Sequence, residues 1–525
     1  MAEYLIQDAT LTDIANSIRR ATGTKHEIYT DDMPSMIDSI KQSVQHRCCV
    51  FDYDGAILFD EYLAEGETFT MPLEPSHKRL EFDGWSSPVD IVDNVVTVGK
   101  SDINIGALYH TASDLTEIDV ELNERTGLIV NLALLTGVTG VDWGDGQSDN
   151  LRTHTYANYG EYTISLSGLT AISAGSSSSG IGGAAQWYVR KVLFSNSVES
   201  FGKYAFSNCK GLLGIAYSNS VSTIGEYAFH GCQSLKCVSI PNNVTTINTR
   251  TFNACSCLQY VALTQSLSTI AAYAFYSSVN SLVSITIPEN VATIGDYAFN
   301  GCRSLQDIYI PHNATVGQYC FQDCSSLKCA VVGSDCIIKS YAFYRCSNLT
   351  QATFIGASTI TNAFNACSAL ETITFGGPVN ATGVAYNCYA LSSITFPDGS
   401  VINGNGNNGA VYGSPNIQRL VFPSATTTVS ERMVQGCCAL KSIVFLGNIT
   451  SVGTKAFSDC HSLEELDFTA CTSVSTLVNS DAFTWVASSA TTGNPFVKVL
   501  VPASLYDEWI AAANWSDVAS LIVAV

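Results

Sequence analysis

One phrase recurs along this chain and limits what the chain can fold into. Tyr204-Ala-Phe-Ser-Asn-Cys209 is followed by Tyr227-Ala-Phe-His-Gly-Cys232, Tyr297-Ala-Phe-Asn-Gly-Cys302, Tyr341-Ala-Phe-Tyr-Arg-Cys346 and Asn362-Ala-Phe-Asn-Ala-Cys367. Three residues after each Cys stands a Leu: Leu212, Leu235, Leu305, Leu349 and Leu370. The positions 209, 232, 255, 302, 324, 346, 367, 388, 437 and 460 step by 21 to 23 residues or by about twice that, and Ser278 and Ser414 stand in the two long gaps. Twelve turns result, with an irregular thirteenth around Ala482-Phe483. A fixed period of this length means one small unit per repeat, which buries its apolar face only by stacking on the next.

Each unit carries a short β-branched run, as in Leu282-Val-Ser-Ile-Thr-Ile-Pro288 and Leu305-Gln-Asp-Ile-Tyr-Ile-Pro311. Strand alternation sends Ile308 and Ile310 inward and Asp307 and Tyr309 outward. Phe299 and Leu305 fill the interior beside them. Gly295 suits a bend with positive φ. The Tyr residues 204, 227, 273, 297, 319 and 341, two before each Phe, are expected to stack from turn to turn and not to form a ligand cage.

The combined pattern Ala-Phe-x-x-Cys-x-x-Leu-x-x-Ile-x-Ile-Pro, with Val291 to Gly295 and Val221 to Gly225 as a Val-x-x-Ile-Gly step, resembles the BspA-like leucine-rich repeats. The resemblance covers about 300 of 525 residues. It implies a recognition or adhesion surface without catalysis, although a fold by itself does not set a function.

Composition narrows the choice. Net charge is −21, but residues 1–189 hold 28 acidic and 10 basic side chains while residues 190–525 hold 18 and 15. The front is acidic, the solenoid nearly neutral, and neither offers the basic patch that nucleic acid requires. No apolar run reaches the ~18 residues of a membrane span. The opening residues lack the basic and apolar regions of a secretory signal. A reducing cytoplasm is therefore expected, with the ladder thiols buried as small hydrophobes. Cys48-Cys49 and Cys437-Cys438 lack the C-x-x-C spacing of zinc sites.

In chain order, residues 1–45 read as a helical hairpin. Leu11, Ile14 and Ile18 share one face, and Met33, Ile37 and Ile40 share another. The phrase Leu11-Thr-Asp-Ile-Ala-Asn-Ser-Ile-Arg, Thr22-Gly, Met33-Pro, Ile37-Asp-Ser-Ile40 resembles a segment at the N-termini of tail and fibre proteins of phages of Gram-positive bacteria. It implies a docking or oligomerisation tag; a simple cap on the next module is the alternative. Residues 46–111 open with Val50-Phe-Asp-Tyr-Asp-Gly-Ala, similar to the nucleophile loop of haloacid-dehalogenase-type phosphatases. Ala56 replaces the required Thr, and the later motifs have no room. Glu65-Gly-Glu-Thr, Pro72-Leu-Glu-Pro75 and Leu80-Glu-Phe-Asp-Gly-Trp85 instead resemble the internalin-B-type repeat, a small β-grasp-like module. There Asp54-Gly55 is a hairpin turn and Trp85 is core.

Residues 112–172 carry Val141-Asp-Trp-Gly-Asp-Gly146, His154-Thr-Tyr156 and Gly160-Glu-Tyr-Thr-Ile164, and resemble a PKD-like β-sandwich. Asp142 and Asp145 suit Ca²⁺, or else bond the turn's own backbone, with His154 as a structural partner. Residues 173–189 form a Gly/Ser-rich joint. The solenoid spans 190–498, and residues 499–525 read as a terminal cap whose helix, started by Ser504, carries Leu505, Trp509 and Ile510.

The expected fold is thus multidomain and mainly β: helical hairpin, β-grasp-like module, PKD-like sandwich, and leucine-rich-repeat solenoid with a helical cap. No Ser/His/Asp set, metal cluster or phosphate loop is present, so the expected protein is no enzyme and needs no cofactor. The expected role is a phage virion attachment protein, made in the host cytoplasm and carried in the virion. Its partners would be a host cell-surface protein or glycan and, through the N-terminus, tail or baseplate proteins, and it would be a homo-oligomer. A bacterial adhesin and an intracellular scaffold are the alternatives. Outward strand residues Tyr260, Asp307, Tyr309, Gln351, Thr353, Thr374, Thr395 and Arg419 are the candidate contacts, on a face whose other members include Ser284, Thr286, Thr372, Ser393, Glu465 and Asp467.

Overall fold

The structure is a computed structural model and describes residues 45–173, 181, 188–277, 281–404, 409–484, 486 and 497–525. Leu11, Ile14, Ile18, Met33, Ile37 and Ile40 lie outside the described residues.

Most solenoid coils contribute a strand to each of two parallel stacks. One sheet stacks Asp307–Ile310, Cys329–Val332, Gln351–Phe354, Thr372–Phe375 and Ser393–Thr395 in register. The other stacks short pairs such as Thr246–Ile247, Thr269–Ile270, Thr293–Ile294 and Thr315–Val316. The Tyr-Ala-Phe phrase turns the chain between them. In it the N–H groups of Tyr297, Phe299 and Gly301 donate to carbonyls of the next coil, while those of Ala298, Asn300 and Cys302 close turns within their own. Two residues per phrase are left-handed: Tyr297 at φ +57° and Gly301 at +72°, repeated as Tyr319 and Asp323, Tyr341 and Arg345. A Tyr in this region is strained by ~1–2 kcal/mol, so stacking must compensate.

The interior is a column of rings. Phe206, Phe229, Phe252, Phe275, Phe299, Phe321, Phe343 and Phe364 stack with centroids 4.9 to 5.4 Å apart. Spacings of 4.5–7 Å are favourable for aromatic pairs. A second column replaces the strand Ile in the later coils, running from Phe354 through Phe375, Phe396, Phe422 and Phe445 to Phe468. It ends against Trp509 and Trp515 of the terminal segment.

The ladder thiols donate to the main chain of the preceding coil: Cys324 Sγ to the Phe299 carbonyl at 3.3 Å, Cys346 to Phe321 at 3.1 Å, Cys388 to Phe364 at 2.9 Å. Cys302 and Cys324, in adjacent coils, are free thiols. Burial pushes the Cys437 thiol up to about 12.

Two sequence expectations are corrected here. Gly295 does not have positive φ; a Cβ there would sit 2.5 Å from the Ala272 nitrogen. Glycine is required by the close approach of the neighbouring coil's backbone. Ser504 does not cap the terminal helix either. It lies within the 3-10 turn Ala503–Leu505, and the helix Tyr506–Ala511 starts from Leu505 with no side-chain cap bond. Strands Lys498–Val501 and Ile522–Ala524 instead continue the parallel sheet of Arg419–Phe422, Ser442–Phe445 and Glu465–Asp467.

Residues 112–172 share both solenoid sheets. Strand Leu115–Leu122 pairs antiparallel with Gly160–Ser167 on one edge and with Val189–Leu193, a solenoid strand, on the other. Ala171–Ile172 pairs parallel with Ser200–Phe201. One apolar core runs without a break from Leu108 to Ile522. Sheet and core therefore connect the residues before and after the stretch 173–189, which the sequence suggests as a joint.

Candidate binding face

The outward strand face is half occupied by the chain itself. The module strands Gln45–Phe51, Ile57–Ala64, Leu80–Ser86 and Ile103–Thr111 form one sheet, with Gly55 (φ +87°) in the expected hairpin turn. Strand Ile103–Thr111 is almost wholly buried. Ile103 and Ile105 enter the module's own core, while Ala107 and Tyr109 pack with Leu193 and Ala216 of the solenoid. Cys49 and Phe51 pack with Cys237 and Ala262. Gly106 sits so close that a Cβ would meet Phe51 at 2.9 Å and collide with Ser239 Oγ. Polar groups complete the contact. Ser86 Oγ donates to the Ile240 carbonyl at 2.6 Å, and the Asn219 N–H donates to Asp83 at 2.7 Å. Asn104 Nδ2 donates to Ser284 Oγ at 3.2 Å.

The candidate contacts divide accordingly. Tyr260 lies under the module, its ring 5.5 Å from Phe51 with the Arg47 guanidinium 5.7 Å from its centroid. Ser284 and Thr286 are buried beneath Asn104 and Asp102. Tyr309 is only 6% exposed. These four are not on an open surface, contrary to the sequence expectation; the module covers Tyr260, Ser284 and Thr286. Asp307 keeps an exposed edge, although desolvation and then the charge of Asp102 push its carboxyl above the usual range. Gln351, Thr374, Thr395 and Arg419 are exposed, Thr353 is half-buried, and Thr353, Thr374 and Thr395 align in one row.

The acidic motifs are held by hydrogen bonds. Asp52 of the phosphatase-like loop is buried and bonded to His77 Nε2 at 2.7 Å. Asp142 Oδ1 accepts from the Gly144 N–H and Asp145 Oδ1 from the Gln147 N–H. Asp145 Oδ2 pairs with His154 Nε2 at 2.8 Å, and His154 stacks on Trp143. Among the described residues no group of three His, Cys, Asp or Glu side chains is placed to hold a metal ion. Trp85, expected as core, is half-buried and packs against both module clusters.

Sequence reasoning missed Gly106, Asn104 and Ser86 as docking residues. The available signal was Ile103-Asn-Ile-Gly-Ala-Leu-Tyr109, which lacks polar alternation and so reads as a strand covered on both faces.

The family model for the BspA type leucine rich repeat region matches residues 185–281, 269–385 and 381–488. The chain belongs to this family. Leucine-rich repeats of this class are in general non-enzymatic binding scaffolds. Among curated proteins none matches the chain. Among solved structures it is similar to a leucine-rich repeat protein of Bacteroides ovatus, at 20% identity over 69% of this chain and 95% of that one, TM-score 0.41. It is also similar to a leucine rich cell surface protein of Faecalibacterium prausnitzii, at 22% identity over 66% and 93%, TM-score 0.30. The pneumococcal vaccine antigen PcpA is similar at 17% identity over 68% and 84%, TM-score 0.33.

Proposed function

We propose that this BspA-type protein is an attachment protein of phage tail or fibre type. The distal strand face engages a host cell-surface protein or glycan, and residues 1–45 engage virion partners or sister copies. One observation carries the binding half of the reading. The module covers the early coils, and the coils beyond them present Gln351, Thr353, Thr374 and Thr395 on parallel strands in register, with Arg419 on a later parallel strand. Rows of hydroxyls with little charge favour a neutral, polar partner over a strongly charged one. The tail-type phrase in residues 11–40 supports the virion half, and no cofactor enters the reading.

The experiment pairs Thr374→Arg with Thr395→Arg. Both side chains are exposed, so the fold should persist. Adsorption of the purified chain to host cells should weaken ~10-fold or more, as loss of central contacts does. Undiminished adsorption would move the contact off this face. A phage lacking the gene, complemented with the chain lacking residues 1–45, should yield particles without the protein. Particles with normal amounts would remove the docking role, and protein found on the bacterial envelope in place of particles would favour an adhesin.

A further inference from the structure

A second surface lies on the flank of the rod, outside the strand face. Around Phe275 and Phe299 the turns enclose a groove of about 560 Å³, within the ~300–1,000 Å³ of small-ligand sites. Its walls combine the rings of Tyr273, Tyr276 and Tyr297 with the polar ends of Asn300, Arg303 and Asp323.

The ladder rings in this groove have no free face. Tyr273 is stacked by Tyr297 of the following coil at 4.9 Å, and the Arg250 guanidinium of the preceding coil lies 4.6 Å from its centroid. Tyr276, at the next ring position, crosses Tyr273 at 63° with centroids 5.4 Å apart. With both faces of Tyr273 taken, Tyr276 meets it at the edge, and Tyr276 is the ring left to offer a face to a ligand.

The polar groups select what that ligand is. A purely apolar ligand would strip water from Arg303 and Asp323 without replacing their hydrogen bonds. An anion would face the Asp323 carboxylate, and a cation the Arg303 guanidinium. A neutral pyranose satisfies all of them: its C–H face lies on an aromatic ring, and its hydroxyls both donate and accept.

The arrangement also repeats. Tyr344 crosses Tyr341 at 73° three coils later, and His230 crosses Tyr227 at 79° two coils earlier. Ladder spacing is 4.9 to 5.1 Å per coil from Tyr273 to Tyr341. An extended β-linked pyranose chain advances by nearly one coil spacing per sugar, so successive sugars keep register with the coils. We propose that this flank is a saccharide groove for a neutral β-linked glycan chain. Tyr276 is its platform, and Asn300, Arg303 and Asp323 bond the hydroxyls. The groove stands independently of the strand-face reading.

The test is calorimetric titration of the full chain with cellohexaose and with chitohexaose, using maltohexaose, whose α-linkages curve the chain, as control. Saturable binding of at least one β-linked hexasaccharide is expected, weakened ~10-fold or more by Tyr276→Ala. The Thr374→Arg, Thr395→Arg pair should change neither. Arg303 is exposed, so Arg303→Ala carries the test if Tyr276→Ala lowers the melting midpoint. Absence of binding to both β-linked hexasaccharides at millimolar concentration would overturn the proposal. So would binding unaltered by the groove variants, or equal binding of maltohexaose.

Discussion

Phe299→Ala and Tyr297→Gly separate the two aromatic columns by their energetics. Phe299 is fully buried between Phe275 at 5.2 Å and Phe321 at 5.3 Å, its ring within 6° and 1° of parallel to them. Truncating a core Phe costs ~3–5 kcal/mol. Two stacked pairs, each worth ~0.5–1.5 kcal/mol beyond area, place this site at the upper end. Tyr297 also stacks on two neighbours, at 4.9 and 5.0 Å, but is half-buried and left-handed at φ +57°. Its replacement by Gly loses ~1–3 kcal/mol of stacking and regains ~1–2 kcal/mol of backbone strain, a net loss of roughly −1 to +2 kcal/mol. The two variants should therefore differ by ~2 kcal/mol or more. Urea unfolding followed by circular dichroism gives each value from its midpoint and slope. A Tyr297→Gly loss equal to that of Phe299→Ala would mean that the flank column stabilises the rod as much as the interior one. An unchanged Phe299→Ala midpoint would show that Phe299 is not packed as described.

Thiol titration of the native chain should find Cys257 reacting fast and half-buried Cys329 and Cys438 more slowly, with ladder thiols such as Cys302, Cys324 and Cys437 silent until unfolding. Raising the pH to ~9 should leave Cys437 silent, because burial keeps it a thiol up to about 12 and only the thiolate reacts; a disulfide between Cys302 and Cys324 by mass spectrometry would refute this. Gly106→Val should destabilise module docking by the ~1–3 kcal/mol of an overpacked contact, because its side chain meets Phe51 and Ser239. Limited proteolysis should then release the 45–111 segment while the solenoid stays resistant, and an unaltered digest would show that Gly106 is not in tight contact. Trp509→Ala should expose the end of the second Phe column and lower the stability by the ~3–5 kcal/mol of an emptied aromatic site, seen as a lower melting midpoint, since Trp509 is fully buried against Phe468; a wild-type midpoint would mean that the terminal segment does not close the rod.

What the sequence revealed and what it concealed differ in the range of the interactions. Phe299, Leu305, Ile308 and Ile310 were legible as interior because each repeats one coil away, and a periodic contact is written in the period itself. The Asp145–His154 turn was legible because its partners lie within nine residues of each other. The contact of Asn104 with Ser284 spans 180 residues and repeats nowhere. It left only an indirect trace, a module strand without a polar face. Gly295 was legible as a constraint but not as the right one, since glycine at a bend and glycine under a neighbouring backbone look alike in a sequence. Left-handed Tyr297 runs against propensity altogether, and only the stack on both sides of its ring accounts for it. The same stack explains why the Tyr ladder is a poor platform for ligands while the ring beside it is available. A periodic sequence therefore makes outward strand positions look equivalent from Tyr260 to Arg419. The aperiodic module removes that equivalence, and the distal strand face and the flank groove are the surfaces on which the two proposals rest.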